Sequence, residues 1–576
     1  GLLGLTLVQL KTNCRENPMS AKLILQHVYQ HEAEYPDRLY LTQPIGNAEV
    51  AEYSWGQVLD QARRMAAHLR SLDLPEGARM AMLAKNSAHF IIAELAIWMA
   101  GGTTVAIFPT ETAANIKYVL EHSEASILFV GKLDGWEQQK SGVPEGMPCI
   151  ALPLSPATDF ESWDAIIART APLLGQPQRA AEDLAILSYT SGSTGQPKGV
   201  MQTFNSISQV AEAIVDNVVD YIGAATVNRM LSYLPLAHVY ERAYVECASL
   251  VAGNSQVFFA ESLDTFLDDL RRARPTVFLS VPRLWIKFQQ GVFAKMPPRK
   301  LDRLLRIPLL GRLVGRKVLA GLGLDEVKIA GSGSAPIPFE VIKWYRRLGL
   351  KLLEGYAMTE DFAYSFGGTP EKNEPGFCGI ARTGVEARIA EDGELLIKSP
   401  GQMAGYYKRP DLDAECFTED GFFRTGDLGE LRADGQLRIS GRKKELFKTG
   451  KGKYVAPAPI ENLLNVHPLV ELSMVSGVGQ SAPYALLVLA EEQRHRREEP
   501  AFRQQVEAEL AELLEATNVQ LVAHERLRML VVAEQPWTIE NGCLTPTMKL
   551  KRNAIEAEAA GQVDSWYARS GPIIWV

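Results

Sequence analysis

A chain of 576 residues exceeds what one hydrophobic core organises, so at least two domains are expected. Its hydrophobic content of 46% excludes a disordered chain, and 60 basic against 68 acidic side chains, a formal charge of -8, exclude a global positive field for nucleic acid. Six scattered cysteines (Cys14, Cys149, Cys247, Cys378, Cys416, Cys543) form no Cys-x-x-Cys pair, which argues against a zinc knuckle or disulfide framework and makes a reducing cytoplasm the expected setting.

The first residues, Gly1 to Leu10, are apolar but follow no basic segment and precede no convincing cleavage site, so 1–18 reads as an extension without an assigned role. From 19 to 443, short apolar runs alternate with amphipathic stretches, the pattern of a layered α/β domain. The most apolar window, Ile91 to Phe108, is interrupted by Glu94 and Gly101-Gly102; it reads as a buried helix entering a strand rather than a membrane span. Strands are expected at Leu184 to Ser188 and Thr276 to Val281. A helix beginning near Asn205 carries Ile207, Val210, Ala211, Ile214, Val215 and Val218 on one face. Two Asp-Gly dipeptides, Asp392-Gly393 and Asp434-Gly435, predict two-residue hairpin turns with φ > 0 at both central positions. Counting pairs outward from the second sets Asp427 opposite Arg442, barring a bulge at Gly429 or Gly441. The aperiodic Gly/Lys stretch that follows marks a boundary, leaving 444–576 as a small α+β domain with strands at Leu472 to Val475 and Ala485 to Leu489 and a helix carrying Phe502, Val506, Leu510 and Leu513.

The segment most specific for chemistry is Tyr189-Thr190-Ser191-Gly192-Ser193-Thr194-Gly195-Gln196-Pro197-Lys198-Gly199, directly after an expected strand. Glycines let backbone N–H groups close around an anion, hydroxyls add donors and Lys198 adds charge, so it reads as a phosphate-gripping loop. The Walker A spacing is missing, which disfavours a P-loop NTPase. On composition alone a flexible surface loop is as good a reading.

From Thr190 to Gly199 this segment resembles, at all ten positions, the T-S-G-S-T-G-x-P-K-G loop of the adenylate-forming superfamily of acyl-CoA synthetases, luciferases and peptide-synthetase adenylation domains. Further resemblances recur in order. Gly355-Tyr356-Ala357-Met358-Thr359-Glu360 is similar to G-Y-G-M-T-E, with alanine replacing a glycine. The likeness implies that Tyr356 stacks on adenine, that Thr359 contacts the α-phosphate and that Glu360, with Thr190, holds Mg²⁺. Glu354, Gly355 and Gly333 join the implied nucleotide set, and Ser332 and Gly333 border the acyl pocket. Thr425-Gly426-Asp427 with Arg442 matches the motif that binds ribose. Lys444 matches the hinge, and Lys448 a lysine that some relatives use in the second half-reaction. Leu544 to Arg552 resembles the C-terminal motif of long-chain fatty acyl-CoA synthetases and implies that Lys549 offsets charge during adenylation. His238, in Leu234-Pro235-Leu236-Ala237-His238-Val239-Tyr240-Glu241-Arg242, is implied to bind substrate. The family's usual histidine after Val-Met-x-Thr is Phe204 here.

The resemblance implies a large multi-subdomain α/β domain with a small mobile α+β domain. It also implies ATP-dependent conversion of a medium- or long-chain fatty acid to acyl-AMP and then to an acyl-CoA thioester, with ATP, Mg²⁺ and CoA. A fatty acyl-AMP ligase delivering to a carrier protein and a non-catalytic nucleotide- or lipid-binding relative are the alternatives. A homodimer and a peripheral membrane contact stay open, and chain length is not legible.

Overall fold

The computed structural model describes residues 22–191 and 195–576; the extension at 1–18 and Gly192, Ser193 and Thr194 of the glycine-rich loop lie outside the described residues. An eight-stranded sheet forms the centre of the large domain. Its core strands Leu184–Thr190, Thr103–Ile107, Arg79–Leu83 and Ile127–Val130 run parallel, and Lys198–Thr203 and Gly405–Tyr406 extend one edge antiparallel. Those parallel strands are apolar on both faces because helices cover both. One cover is the Ile91–Phe108 window: the helix Ala88–Met99 is buried along its whole length and the chain then enters the strand Thr103–Ile107.

A second sheet, ordered Val277–Ser280, Ile329–Ser332, Leu352–Tyr356, Phe366–Gly367 and Ile380–Ala381, lies beside a four-stranded sheet that contains Asn228–Ser232 and Ser255–Phe259. The expected helix runs Phe204–Ile222, capped by Thr203, whose Oγ1 accepts from the Ser206 N–H at 3.1 Å. Phe204, where the resemblance leads one to expect histidine, is fully buried, edge-to-face with Trp98, with the Arg179 guanidinium 4.6 Å from its centroid. Here that position belongs to the core.

The hairpins correct one expectation. Asp392 and Asp434 keep negative φ; Gly393 and Gly435, both at +86°, turn alone. Ala390 N–H donates to Glu394 and Arg432 N–H to Gln436, so each loop has three residues, a turn closed by a left-handed glycine. The longer second loop shifts the register by one. A bulge between Leu428 and Gly429 shifts it back, and Asp427 still faces Arg442.

Beyond Phe447 the chain builds its own apolar clusters on both faces of the sheet Val470–Ser476, Tyr484–Leu489, Leu530–Val532 and Ile573–Trp575. The helix Pro500–Val519 buries Phe502, Val506, Leu510 and Leu514 there, with Leu513 half-buried beside them. This smaller α+β domain meets the large one through an Arg283–Glu471 ion pair, a Gln290 side-chain bond to the Val466 carbonyl at 3.4 Å and a Thr110 hydroxyl bond to the Pro546 carbonyl at 3.2 Å. Among the described residues no helix is long and apolar enough to cross a membrane.

Candidate active site

The carboxyl ends of three parallel strands, Leu184–Thr190, Ile329–Ser332 and Leu352–Tyr356, open onto one cavity of about 1220 Å³ between the two domains. Strand ends are where open α/β sheets bind ligands, since backbone N–H groups there are not consumed by the ladder. The volume exceeds the roughly 300–1,000 Å³ of an ordinary small-ligand cleft, room enough for two substrates.

At the phosphate-loop end, Thr190, Ser191 and Lys198 line the cavity, and Thr190 pairs with Lys198 across the hairpin that frames the loop. Gly195, at φ +126°, turns the chain back outside the wall. The Lys198 ammonium sits 4.7 Å from the Tyr406 ring, whose hydroxyl donates to Glu360 at 2.7 Å. Cation, ring and carboxylate thus hold one another, and Thr359 and Glu360 face the cavity beside them.

A polar corner is built by the paired strands Phe423–Leu431 and Leu437–Arg442. Asp427 accepts from Arg442 Nε at 3.2 Å and from the Tyr356 hydroxyl, which joins the second sheet to this hairpin. Gly426, at φ +72°, donates its N–H to Glu394 at 3.0 Å and turns Asp427 inward. Glu354 and Gly355 precede Tyr356 on the wall. Burial pushes the Glu354 carboxyl up to about 8, opposed by the Ile337 N–H that donates to its Oε1 at 3.4 Å. Ala357 is half-buried against the large core.

Lys549 enters from the small domain on a tight turn. Thr545 N–H donates to the Lys549 carbonyl at 2.8 Å, Lys549 N–H donates back to Thr545 Oγ1 at 3.1 Å, and Met548 adopts φ +64°. Arg552, just beyond, forks onto Glu461 at 2.8 and 2.5 Å and anchors the turn to its own domain. The lysine reaches water through the cleft but is walled by protein. Burial and then the Arg442 guanidinium lower its pKa, while Asp427 and Glu360 oppose them. It also lies close enough to His238 to depress that ring's proton affinity. One ammonium therefore bridges the polar corner and the apolar side.

On that apolar side, His238 caps a short helical turn: its Nδ1 accepts from Tyr240 N–H at 3.1 Å, which leaves the proton on Nε2. Burial and Lys549 push its pKa down to about 3, which keeps the ring neutral with its proton on Nε2. Beside it, Ser332 is buried with its hydroxyl unpartnered, and Gly333 leaves space that a Cβ would take within 3.2 Å of the Tyr240 ring. The cavity then continues between Ile214, Val215 and Val218 of the helix Phe204–Ile222 and the small residues Ala248 and Ala252. Starting at the last residue of the His238 motif, the π-helical segment Arg242–Cys247 widens the helix just before these alanines.

Of the expected residues, Lys444 also lines the cleft, between the two domains. Lys448 does not: it lies on the two-residue strand Phe447–Lys448, exposed, with its ammonium 5.7 Å from the Tyr454 ring. Sequence reasoning missed Tyr406, Glu394 and the fully buried triad of Arg242 with Glu94 and Glu246. Arg242 Nε meets each carboxylate at 3.1 Å, and its Nη1 donates to the Leu236 carbonyl at 3.3 Å, tying down the loop that carries His238. A charge inside the apolar Ile91–Phe108 window and the arginine ending the His238 motif were the available signals. Tyr406 offered none.

Residues 28–407 match the AMP-binding enzyme family, and residues 446–571 match the AMP-binding enzyme C-terminal domain. The chain is 30% identical over 592 residues to Long-chain-fatty-acid--CoA ligase FadD15 of Mycobacterium bovis, covering 94% of this chain and 96% of the relative. It is 28% identical to Long-chain-fatty-acid--CoA ligase 1 of Homo sapiens, covering 84% and 78%. In fold it is similar to the A domain of carboxylic acid reductase from Segniliparus rugosus, solved with AMP and a carboxylic acid, with a TM-score of 0.78 at 23% identity over 95% of this chain and 94% of that one. With two family matches spanning most of its length and a relative 30% identical over 94% of it, the chain belongs to the AMP-binding enzyme family.

Proposed function

We propose that this enzyme activates a long-chain fatty acid with MgATP to an acyl-adenylate and transfers the acyl group to CoA. The observation that carries the reading is the position of Lys549 on the wall of the cavity that Asp427 and Glu360 line together with His238, at the head of an apolar channel. In this reading Asp427 and Arg442 hold the ribose, Tyr356 stacks on adenine, and Thr190, Ser191, Lys198 and the loop glycines grip the phosphates. The carboxylate oxygen attacks the α-phosphorus, pyrophosphate leaves, and Lys549 and Thr359 offset the charge that builds on the phosphoryl oxygens. His238, neutral with Nε2–H, donates to the substrate carboxylate and orients it.

Among the described residues no group of three or more His, Cys, Asp or Glu could cage a metal. That suits Mg²⁺, which takes one or two protein ligands, keeps waters and uses substrate phosphates; Glu360 and the Thr190 hydroxyl are the donors that fit. When bound, the ion would screen phosphate charge. Domains at 19–443 and 444–576 with a pivot at Lys444 fit the gap between the two family matches, and rotation about it would bring Lys448 to the cleft for thioester formation. Five free cysteines among the described residues suit a reducing cytoplasm.

The test is AMP release across acids from acetate to oleate, with and without CoA. Release that rises with chain length and acyl-CoA that accumulates only with CoA support the reading. Adenylate that accumulates without transfer to CoA points instead to a carrier-protein acceptor, and no acid-dependent AMP to a non-catalytic relative.

A further inference from the structure

The helix pair Pro298–Leu305 and Leu310–Gly321 lies outside the cavity wall and has no part in the proposed reaction. Its connection is unusual. Leu309 adopts φ +66° and ψ −52°, and Leu310 N–H donates back to the Pro308 carbonyl at 2.8 Å, a γ-turn of the strained left-handed kind. A leucine in that conformation costs stability, and here nothing is buried in return: Leu309 is 75% exposed, with Leu313 65%, Ile307 46% and Leu310 41% exposed around it. Exposed strain of this kind needs a use.

The turn is held rigidly. Added Cβ atoms on Gly311 and Gly315 would meet backbone carbonyls of Leu305 and Leu348 at 2.4 and 2.5 Å, so the second helix packs tightly on the end of the first at Gly311 and on the helix Phe339–Leu348 at Gly315, and directs its opposite face outward. Seven cations lie between Arg299 and Lys317, all exposed, and none forms a side-chain hydrogen bond or ion pair within the described residues. The single carboxylate in the stretch, Asp302, is taken by Arg347 at 2.8 Å. In a chain of net charge -8 this is a concentrated basic platform around an apolar tip.

From this juxtaposition we propose that the turn Arg306–Leu310 and the outer face of the helix Leu310–Gly321 dock on an anionic lipid surface, with Leu309, Leu310 and Leu313 entering the headgroup boundary and Arg306, Arg312, Arg316 and Lys317 meeting lipid phosphates. Apolar tips ringed by cations are what the interface of an acidic bilayer accommodates. Nucleic acid would leave the leucines in water and find no aromatic ring in the stretch to stack on. A second copy of the same face would oppose like charges across the two-fold axis. The inference is independent of which acid is activated.

The full-length protein is co-sedimented with vesicles of phosphatidylcholine alone and of phosphatidylcholine mixed with phosphatidylglycerol. Binding to the mixed vesicles only, weakening as salt is raised, is the expected result. Arg312→Gln/Arg316→Gln/Lys317→Gln is expected to weaken it roughly 10²-fold, at about a factor of five per cation, and Leu309→Ser/Leu313→Ser by roughly tenfold or more. Both variants should keep wild-type circular dichroism and wild-type AMP release from a short, soluble acid. Equal binding to both vesicles, binding that neither variant weakens, or no vesicle binding at all overturns the proposal. So does a dimer in analytical ultracentrifugation that the leucine variant dissociates, or tight capture of RNA without vesicle binding.

Discussion

The two ends of the cavity are built in opposite ways. At the end proposed for the nucleotide, Tyr356, Asp427, Arg442, Lys198 and Glu360 are few, polar and cross-linked, each side chain fixed by a partner on another element. At the other end the wall is largely apolar, with Ile214, Val215 and Val218 of the helix Phe204–Ile222 facing Tyr240, Tyr244, Ala248 and Ala252, where small residues matter for the volume they leave. Polar recognition is achieved by residue identity at fixed spacing; apolar recognition is achieved by shape. One end should therefore fail by loss of single bonds, the other by loss of volume or support.

The largest effect is expected from the support. Arg242 is fully buried against Glu94 and Glu246, and burial together with the Glu94 carboxylate pushes Glu246 well above the usual carboxylate range. Arg242→Met leaves two buried acids without their cation and is expected to cost about 3–5 kcal/mol of stability, read by urea unfolding. A smaller loss would mean the triad does not brace the acyl side. Next, Lys549→Ala should slow pyrophosphate release roughly 10²–10³-fold while sparing thioester formation from supplied acyl-AMP. Equal loss of both would contradict a role confined to adenylation.

A volume test comes third. Ala252→Trp fills the channel and should lower kcat/KM for long acids by roughly fourfold for each methylene excluded, at about 0.8 kcal/mol per group, leaving short acids unchanged. Uniform loss across chain lengths would place the acyl chain elsewhere. The smallest effect is a bond test: Tyr356→Phe removes one donor from Asp427 and should raise KM for ATP roughly fivefold, about 1 kcal/mol, with little change in kcat. A changed chain-length profile in that variant would erase the distinction between the ends.

The same contrast explains what could be read before the structure. The nucleotide end was legible because its glycines, hydroxyls and charges occur in contiguous motifs. Even so, the Asp427–Arg442 pairing was reached through two offsetting one-residue errors, a three-residue loop taken for a two-residue turn and an uncounted bulge. Short-range turn signals fix that a hairpin exists, while bulges that set its register depend on tertiary packing. Helix and strand assignments survived because their apolar periods are long, as at Phe204–Ile222 and Pro500–Val519. The acyl wall was not legible: Ala248 and Ala252 carry no signal, and the π-helical segment before them changes which side chains face inward. Tyr406 reaches Glu360 from an edge strand of another sheet, a contact that no local pattern encodes.

The central claim is that the two ends meet at a single bond-forming step, carboxylate oxygen to α-phosphorus. Turnover with a long-chain acid labelled with ¹⁸O in its carboxylate, read by mass spectrometry of the nucleotide and phosphate products, tests this directly. The account predicts label in AMP and none in pyrophosphate. Label in pyrophosphate, or ADP formed in place of AMP, would contradict it.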